Sequence, residues 1–398
     1  MNWRQGIHRF VHRVEEKVDA HRQRHGWLTG RNKPARIEAY RGYGCADRAW
    51  LKGRVLRGTP IPAGEAGDSV WLNLASMVQR FESDEVPGAR VRVRFSGGEH
   101  VVTADHEGYF ECWLEPRPPF GPDHLWHEVV LELVDPPPPE GEEPHRALGH
   151  LLVPPPQTAF GVISDLDDTV IRTDVTSTLR MMRTVFLGNA RTRSPFPGVA
   201  AFYRALEKGA GETPFNPVFY VSSSPWNLYD LLTEFLTVQQ IPLGPLMLRD
   251  WGITRDELLP RNNAEFKFHN IRRILDLFPA LPFLLIGDSG QEDPEIYHRV
   301  VHEYPDRIRA VYIRNIKPHP ERVQAVRLLA AEVEKAGSTL LLTDDTLAAA
   351  RHAAEQGWIS PAALPEIGEV ARQEEKKPVS AETRQANREL STTPPEQG

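Results

Sequence analysis

The stretch GVISDLDDTVIRTDV, residues 161–175, decides how the rest of the sequence is interpreted. It opens with an apolar run and then places Asp165, Asp167 and Asp168 close together, with Thr169 directly after them. An apolar run that leads into carboxylates is typical of a buried strand that ends at a functional site. Carboxylates this close repel one another, and oxygen ligands of this kind suit Mg²⁺. The stretch therefore predicts a magnesium site at the end of a strand.

The composition indicates a soluble globular protein with more than one domain. The chain has 398 residues and is 40% hydrophobic and 25% charged. A net charge of -7 argues against nucleic-acid binding, although residues 1–57 are locally basic. The two cysteines, Cys45 and Cys112, argue against a disulfide framework and fit a reducing compartment. The sequence shows no bilayer-spanning apolar run and no signal-peptide core, so we expect a cytoplasmic protein.

The first part of the chain predicts a basic helix followed by a β domain. Residues 1–25, within a predicted segment 1–30, repeat apolar residues at helical spacing opposite a basic face. Such a helix either packs on its own protein or lies on anionic lipid as a peripheral membrane contact. Residues 31–135 alternate or run apolar between Gly and Pro breaks and predict a small antiparallel β-sandwich, with a hairpin similar to those of immunoglobulin-like and transthyretin-like modules. Residues 136–157 predict a Pro-rich linker.

The second part of the chain, residues 158–365, predicts an α/β fold with a parallel sheet. Short apolar runs, among them residues 160–164, 218–221 and 283–286, alternate there with helical patterns. Ligands of such sheets bind at the carboxyl ends of the strands, and all three of these runs end in polar residues. Residues 366–398 contain no aromatic side chain and predict a disordered tail.

Carboxylates at the ends of these runs supply groups that phosphoryl transfer needs. Asp165 could attack phosphorus and form an aspartyl-phosphate. Asp167, facing the same way if the strand continues, could protonate the leaving oxygen and then activate water. The third run ends in GDSGQED, where Asp288 and Asp293 would complete a Mg²⁺ site. The strand ends converge in a parallel sheet, so we expect these carboxylates to share one crevice.

Hydroxyl and basic side chains would bind the phosphoryl oxygens beside those carboxylates. Ser222 follows the second run, and Lys267 lies on a predicted helix before the third. Arg172, Arg180 and Arg249 are candidates for contact with a phosphate head group. Lys267 alone, or each arginine alone, is also explained as a solvated side chain. Their joint occurrence in this order favours a catalytic site.

The motifs in this part of the chain resemble those of a known family. DLDDT, a strand that ends in serine, a lone lysine and GDSGQED resemble the haloacid dehalogenase superfamily. Within it, FYVSSSPWNLYDLL (residues 219–232), GPLMLRDWG (244–252) and LLIGDSGQEDPEIY (284–297) resemble the App1-like phosphatases, which include fungal phosphatidate phosphatases and bacterial members. The resemblance covers about residues 158–318. It implies a Rossmann-like parallel sheet with helices on both faces, preceded by the β-sandwich.

The resemblance also implies a catalytic or metal-binding role for each motif residue. Asp165 would be the nucleophile and a Mg²⁺ ligand. Asp167 would be the general acid and base, and its backbone carbonyl would ligate the metal. Lys267 would pair with the nucleophile and the phosphate. Asp288 and Asp293 would be the metal ligands of the last motif.

The resemblance implies that Ser222 binds phosphate and that Thr169, a candidate substrate-binding residue, supports the loop. Ser223 competes with Ser222 for phosphate binding, because three consecutive serines blur the register. The implied function is Mg²⁺-dependent hydrolysis of a phosphomonoester, with phosphatidate as the substrate and a phospholipid surface as the partner. A phosphatase for a soluble phosphomonoester and a non-catalytic binding or scaffold protein are the alternatives.

Overall fold

The described part of the chain contains a β-rich region followed by a mixed α/β region. The computed structural model describes residues 34–58, 85–138, 141, 143–167, 169–170, 195–211, 216–249, 263–316 and 319–376. The predicted helix of residues 1–25, the head-group candidates Arg172 and Arg180, and Asp168 lie outside these residues. The prediction of a β-rich part ahead of an α/β part with a parallel sheet is confirmed.

The described β-rich region consists of eight strands in one hydrogen-bonded sheet. The strands are β1 (Ala35–Ala39), β2 (Gly42–Cys45), β3 (Arg48–Arg57), β4 (Arg90–Phe95), β5 (Gly98–Thr103), β6 (Tyr109–Leu114), β7 (Trp126–Asp135) and β8 (Arg146–Leu152). Their order is β1-β3-β2-β8-β7-β4-β5, and β6 pairs with β3. Only β2 and β8 pair in parallel; the other described pairs are antiparallel. The finer description as an immunoglobulin-like or transthyretin-like sandwich stays a prediction.

Period-two alternation builds the core of this sheet. In β4, RVRVRF, Val91 and Val93 are fully buried while the arginines lie on the opposite face. Strand β8 corrects the predicted linker of residues 136–157, because it pairs with β7 and β2. The prolines on either side of β8 suggested a linker, but Leu151 and Leu152 are fully buried and hold the strand in the sheet.

The described α/β region is organised around a six-stranded parallel sheet. Its strands are β9 (Gly161–Ser164), β10 (Val218–Pro225), β11 (Leu246–Arg249), β12 (Phe283–Asp288), β13 (Ile308–Arg314) and β14 (Thr339–Thr343). Every residue of β9, β10 and β12 is buried, which explains why these strands read as continuous apolar runs. The order is β11-β10-β9-β12-β13-β14. Strands β10 and β11 are therefore added on one side of β9, and strands β12 to β14 on the other. At this reversal a crevice is expected at the carboxyl ends of β9 and β12.

Helices connect the strands of this parallel sheet. They are α1 (Val199–Lys208), α2 (Tyr229–Val238), α3 (Asn263–Leu277), α4 (Asp293–Glu303), α5 (Pro320–Lys335), α6 (Thr346–Glu355) and α7 (Leu364–Lys376), with short 3-10 turns at Trp226–Leu228 and Pro361–Ala363. Within the described ranges, none of these helices combines the length and the apolar character that crossing a bilayer requires.

Helix α7 corrects the predicted disordered tail of residues 366–398. Ile367 is 1% exposed, and Val370 packs against the same core from the next turn of the helix. The carboxylate of Glu374 accepts a 2.8 Å hydrogen bond from the backbone N–H of Gly198, just before α1. The many Glu and Lys residues suggested disorder, but the apolar stripe at helical spacing decides the outcome. The prediction is wrong up to the end of α7, and later residues lie outside the described ones.

The larger hydrophobic core includes residues of both regions, and the β-rich sheet has a second core of its own. Tyr43 of β2 meets Phe219 of β10 edge-on, with 5.6 Å between the ring centroids. The guanidinium of Arg273, on α3, lies 4.9 Å from the centroid of the Trp50 ring on β3. Aromatic and cation–π contacts thus join the β-rich region to both the sheet and a helix of the α/β region. The residue limits predicted for separate domains stay a prediction.

Candidate active site

The carboxyl ends of β9, β10 and β12 bring the predicted catalytic residues together. Asp165 directly follows β9, and its backbone N–H donates to the carbonyl oxygen of Ile286 in β12 at 2.8 Å. Ser222 lies in β10, and Asp288 ends β12. These ends border the point where the strand order reverses, which is where open α/β sheets bind ligands.

Lys267 joins two of the carboxylates. It projects from α3, and its Nζ atom lies 2.9 Å from Asp165 Oδ1 and 2.6 Å from Asp293 Oδ1. The three side chains are at most 3% exposed. Charges this far from water require several partners, because the loss of hydration is offset only when attraction and hydrogen bonds surround each group. Lys267 supplies that attraction to both carboxylates at once.

Asp165, Asp288 and Asp293 form a buried group that could hold a metal ion. One carboxylate oxygen from each lies within 4.8 Å of the others. Asp288 Oδ1 accepts hydrogen bonds from the backbone N–H groups of Gly290 and Gln291, at 2.6 and 3.2 Å, which fix the orientation of this carboxylate. A set of carboxylate oxygens suits a hard divalent cation.

The charge of this group is unbalanced. Burial raises the pKa of Asp165 well above its usual range; the charge of Lys267 opposes this, and Asp293, Asp167 and Asp288 add to it. Burial acts to lower the pKa of Lys267, but attraction by Asp165, Asp293 and Asp288 outweighs it and raises that pKa. The lysine therefore stays protonated among an excess of carboxylates. A metal cation would offset that excess.

The loop after β12 places Asp293 against the end of that strand. Helix α4 begins at Asp293 with Pro294 in its first turn, and both residue types are favoured at a helix N-terminus. Asp293 Oδ2 accepts a 3.2 Å hydrogen bond from the backbone N–H of Asp288. Gly287 permits this close approach, because a Cβ there would lie 2.6 Å from Asp293 Oδ2 and 2.8 Å from the Tyr297 ring.

Asp167 is held by two serines of β10. Ser222 Oγ donates to Asp167 Oδ2 at 2.6 Å, and Ser224 Oγ donates to the same oxygen at 3.2 Å. The backbone N–H of Ser224 also donates to Ser222 Oγ at 3.0 Å. Asp167 is 2% exposed, so its carboxylate is oriented by these bonds rather than by water. The predicted metal role of its backbone carbonyl stays a prediction.

Ser224 is the residue that sequence reasoning missed. Successive side chains of a strand point to opposite faces, so Ser222 and Ser224 lie on the same side of β10. Ser223, the predicted competitor, is buried, and its Oγ makes no hydrogen bond within the part of the chain that the structure describes. Counting by two from Ser222 along the predicted strand would have identified Ser224.

Thr169 and Arg249, also predicted to contact substrate, have different partners in the structure. Thr169 Oγ1 donates a long hydrogen bond to Asp165 Oδ2, at 3.5 Å. Arg249 ends β11, one strand beyond the serines, and its guanidinium donates to Asn263 and lies 6.0 Å from the centroid of the Phe266 ring. Phosphate contact by either residue stays a prediction.

A family model and two fungal proteins match the α/β region in sequence. Residues 160–315 match the family model described as the catalytic domain of phosphatidate phosphatase APP1. Phosphatidate phosphatase APP1 of Saccharomyces cerevisiae is 36% identical over 156 residues, which cover 39% of this chain and 26% of that protein. An uncharacterised protein of Schizosaccharomyces pombe is 29% identical over 164 residues, which cover 40% of this chain and 26% of that protein. The chain thus spans about a quarter of the length of these two relatives.

Likeness to solved structures adds nothing to this result. A carbohydrate acetylesterase from Xanthomonas citri is 14% identical with a TM-score of 0.25, over 74% of this chain and 72% of that one. A score this low bears on neither fold nor activity. The sequence match confirms the resemblance derived from the motifs. Residues 160–315 of this chain are therefore similar in sequence to the catalytic domains of the APP1-like family.

Proposed function

We propose that this protein is a Mg²⁺-dependent phosphatase that hydrolyses a phosphomonoester, with phosphatidate as the first candidate substrate. One observation carries the proposal. Lys267 bridges the buried Asp165 and Asp293 at the carboxyl edge of a parallel sheet, within an APP1-like catalytic domain. We further propose that the α/β region has the haloacid dehalogenase-like fold, which the all-parallel order β11-β10-β9-β12-β13-β14 supports.

Asp165 is the proposed nucleophile. One of its carboxylate oxygens attacks phosphorus, the bond to the leaving oxygen breaks, and an aspartyl-phosphate forms. Lys267, 2.9 Å from Asp165 Oδ1, lies where it can also attract the phosphoryl oxygens. The raised pKa of Asp165 favours the protonated acid, so positive charge beside it, such as that of Lys267, is needed to keep it ionised and nucleophilic.

Asp167 is the proposed proton carrier. As an acid it donates a proton from one oxygen to the leaving group, which departs as the alcohol. As a base it then takes a proton from the water that attacks the aspartyl-phosphate, so that phosphate is released and Asp165 is regenerated. Hydrogen bonds from Ser222 and Ser224 fix the orientation of its carboxyl group for both steps.

The residues present fit a divalent cation. Asp165, Asp288 and Asp293 would hold it, since they form a buried set of oxygen ligands with an excess of negative charge. When bound, Mg²⁺ supplies positive charge that offsets the charge of the phosphoryl group. This chain's own residues position that charge, because Asp288 is fixed by the loop N–H groups of Gly290 and Gln291.

Phosphatidate is proposed because the yeast relative is a phosphatidate phosphatase, and the basic segment of residues 1–25 is compatible with contact to anionic lipid. In that reading the protein is cytoplasmic and reaches its substrate at a membrane surface. Hydrolysis of a soluble phosphomonoester is the second candidate, because the proposed chemistry of Asp165 and Asp167 does not depend on the alcohol. A scaffold role would not explain why Lys267 bridges two buried carboxylates.

Phosphate release tests the proposal. Vesicles that contain phosphatidate and a panel of soluble phosphomonoesters are incubated with Mg²⁺ and the wild type, Asp165→Asn or Asp345→Asn. The last variant is the matched control, because Asp345 caps α6 through the backbone N–H of Ala348 and asparagine caps equally well.

We expect hydrolysis of phosphatidate by the wild type and the control, and a loss of at least about a thousandfold in Asp165→Asn. Turnover of soluble substrates alone would favour the second candidate. Full activity of Asp165→Asn, or no turnover of any substrate by the wild type, would overturn the catalytic proposal.

A further inference from the structure

The strand that carries Ser222 and Ser224 runs directly into an aromatic contact with the β-rich region. Trp226 follows β10 and opens the 3-10 turn that leads into α2. The ring of Tyr40, just after β1, stacks on Trp226 with 4.7 Å between centroids and 13° between planes. It also contacts the ring of Tyr229, the first residue of α2, at 4.3 Å. Tyr40 thus contacts two aromatic residues in the turn and the helix that follow β10.

Polar contacts hold this aromatic group in place. The backbone N–H of Arg41 donates to the hydroxyl of Tyr229 at 2.8 Å. The backbone N–H of Tyr40 donates to the carbonyl oxygen of Lys52 in β3 at 3.0 Å. The ammonium group of Lys52 lies 4.9 Å from the centroid of the Trp226 ring, within the range of a cation–π contact. The position of Tyr40 is therefore set by the β-rich sheet.

The contact is closely packed. Tyr40 is 2% exposed, and Trp226 and Tyr229 are each 5% exposed. Protein interiors are packed as densely as organic crystals, so loss of one ring leaves space that its neighbours move to fill. Trp226 lies only two residues beyond Ser224, so a shift of the indole ring is transmitted to the end of β10.

The serines tolerate little displacement. Ser222 Oγ lies 2.6 Å from Asp167 Oδ2, and Ser224 Oγ lies 3.2 Å from the same atom. A hydrogen bond weakens steeply once its geometry leaves the favourable range. A displacement of a few tenths of an ångström at Ser224 therefore changes how Asp167 is oriented.

We propose that Tyr40 is a positioning residue for the active site, holding Trp226 and, through it, the two serines that orient Asp167. The β-rich region is then part of the catalytic machinery rather than a separate binding module. The inference rests on the proposed phosphatase function, since it assigns a purpose to the orientation of Asp167.

Three variants of the full chain test the role of Tyr40. Tyr40→Leu removes the ring, and Tyr40→Phe keeps it. Phe110→Leu is the matched control, because Phe110 is 2% exposed in the separate core of the β-rich sheet. Melting temperature, kcat and KM for phosphatidate in vesicles and for a soluble phosphomonoester, and hydrogen–deuterium exchange of residues 218–228 are measured for each.

We expect Tyr40→Leu to lower kcat about tenfold with little change in KM, because misplacement of a catalytic group weakens the transition state more than binding. Exchange in residues 218–228 should rise in this variant alone. Tyr40→Phe should restore kcat to within about twofold, since the ring contacts persist. Phe110→Leu should lower the melting temperature to a similar degree and leave kcat within about twofold, because its cavity lies away from β10.

Equal loss of kcat in Tyr40→Leu and Phe110→Leu would mean general destabilisation and would overturn the proposal. Unchanged exchange at residues 218–228 in Tyr40→Leu, or increased exchange with wild-type kcat, would do the same. Absence of turnover by the wild type is a distinct result: it overturns the phosphatase function and with it the catalytic role of Tyr40, while the exchange measurement still decides whether Tyr40 holds the end of β10.

Discussion

Glu132 in the β-rich region and Asp165 in the α/β region are both buried carboxylates, but their surroundings differ in charge. Glu132 Oε1 accepts a 2.7 Å hydrogen bond from Arg92, and Oε2 accepts one of 3.0 Å from Arg146 and lies 3.5 Å from Arg94. Three cations therefore surround this one carboxylate. Asp165 instead shares a single lysine with Asp293.

The two pKa values move in opposite directions for this reason. Burial acts to raise the pKa of Glu132, but hydrogen bonds from Arg146 and Arg92 and the charge of Arg94 outweigh it and lower that pKa. Burial raises the pKa of Asp165, and Lys267 only partly opposes it. The first cluster is satisfied by its own side chains. The second has more carboxylates than cations, and an added cation or proton would offset that excess, which is the condition expected of a functional site.

Replacement of Lys267, the lysine that Asp165 and Asp293 share, should have the largest effect on stability. In metal-free buffer, Lys267→Met leaves Asp165 and Asp293 without their shared cation, and we expect a loss of about 3–5 kcal/mol in the free energy of unfolding. Urea unfolding measures it, with Lys335→Met, at the exposed end of α5, as the control that changes stability by less than about 0.5 kcal/mol. Equal midpoints for the two variants would show that the carboxylates do not depend on Lys267.

A third carboxylate, Glu38 of β1, should make the stability of the protein depend on pH. Burial and then the charge of Asp230 on α2 raise the pKa of Glu38 to about 7, against the opposing charge of Arg36. The folded protein thus holds this proton more tightly than the unfolded chain does. The resulting stability is fully present below pH 4.5 and is lost as pH rises to about 7.

The pH effect of Glu38 amounts to at most about 3 kcal/mol. Unfolding in urea at pH 5 and at pH 8 should therefore show a smaller loss between the two pH values in Glu38→Gln than in the wild type. Titrating groups that do not interact with Glu38 are common to both proteins and cancel in the difference. Identical losses would rule out a raised pKa at Glu38.

An added cation tests the charge excess directly. Mg²⁺ at about a hundred times its dissociation constant should stabilise the wild type by about 2.7 kcal/mol, because the ion binds the folded protein and not the unfolded chain. Asp288→Asn should show little of this gain, since it removes one ligand of the buried group. Thermal unfolding with and without Mg²⁺ measures both proteins. The same gain in both would place the ion elsewhere.

The strands that are buried on both faces could be predicted from the sequence. The elements that are recognisable only from the strands or helices they pack against were missed. Strands β9, β10 and β12 are continuous apolar runs, because both of their faces are covered. Strand β8 lies between prolines, and only its pairing with β7 and β2 reveals it. Helix α7 is rich in charge, and Ile367 marks its buried face only once α1 and α6 are in place.

The same distinction holds at the candidate site. Asp165, Asp167 and Asp288 stand at strand ends, so sequence order alone brought them to one edge of the sheet. Ser224 was missed because three serines in a row hide the alternation of side chains until the strand register is known. The contact of Tyr40 with Trp226 joins distant parts of the chain across two regions, and no local pattern signals it.

The smallest predicted effect concerns Glu132 and the three arginines around it. Glu132→Gln should lower the free energy of unfolding at pH 7 by less than about 1 kcal/mol, because its partners Arg94 and Arg146 are half exposed and solvent screens the pairs. The lowered pKa of Glu132 means that its contribution is present above pH 4.5 and is lost as pH falls below that value, opposite in sign to Glu38. Urea unfolding at pH 7 and pH 3, compared with the wild type, measures it. A loss in Glu132→Gln as large as that of Lys267→Met would mean that the arginine-surrounded carboxylate is no better balanced than the lysine-bridged pair, and the contrast between the two regions would not hold.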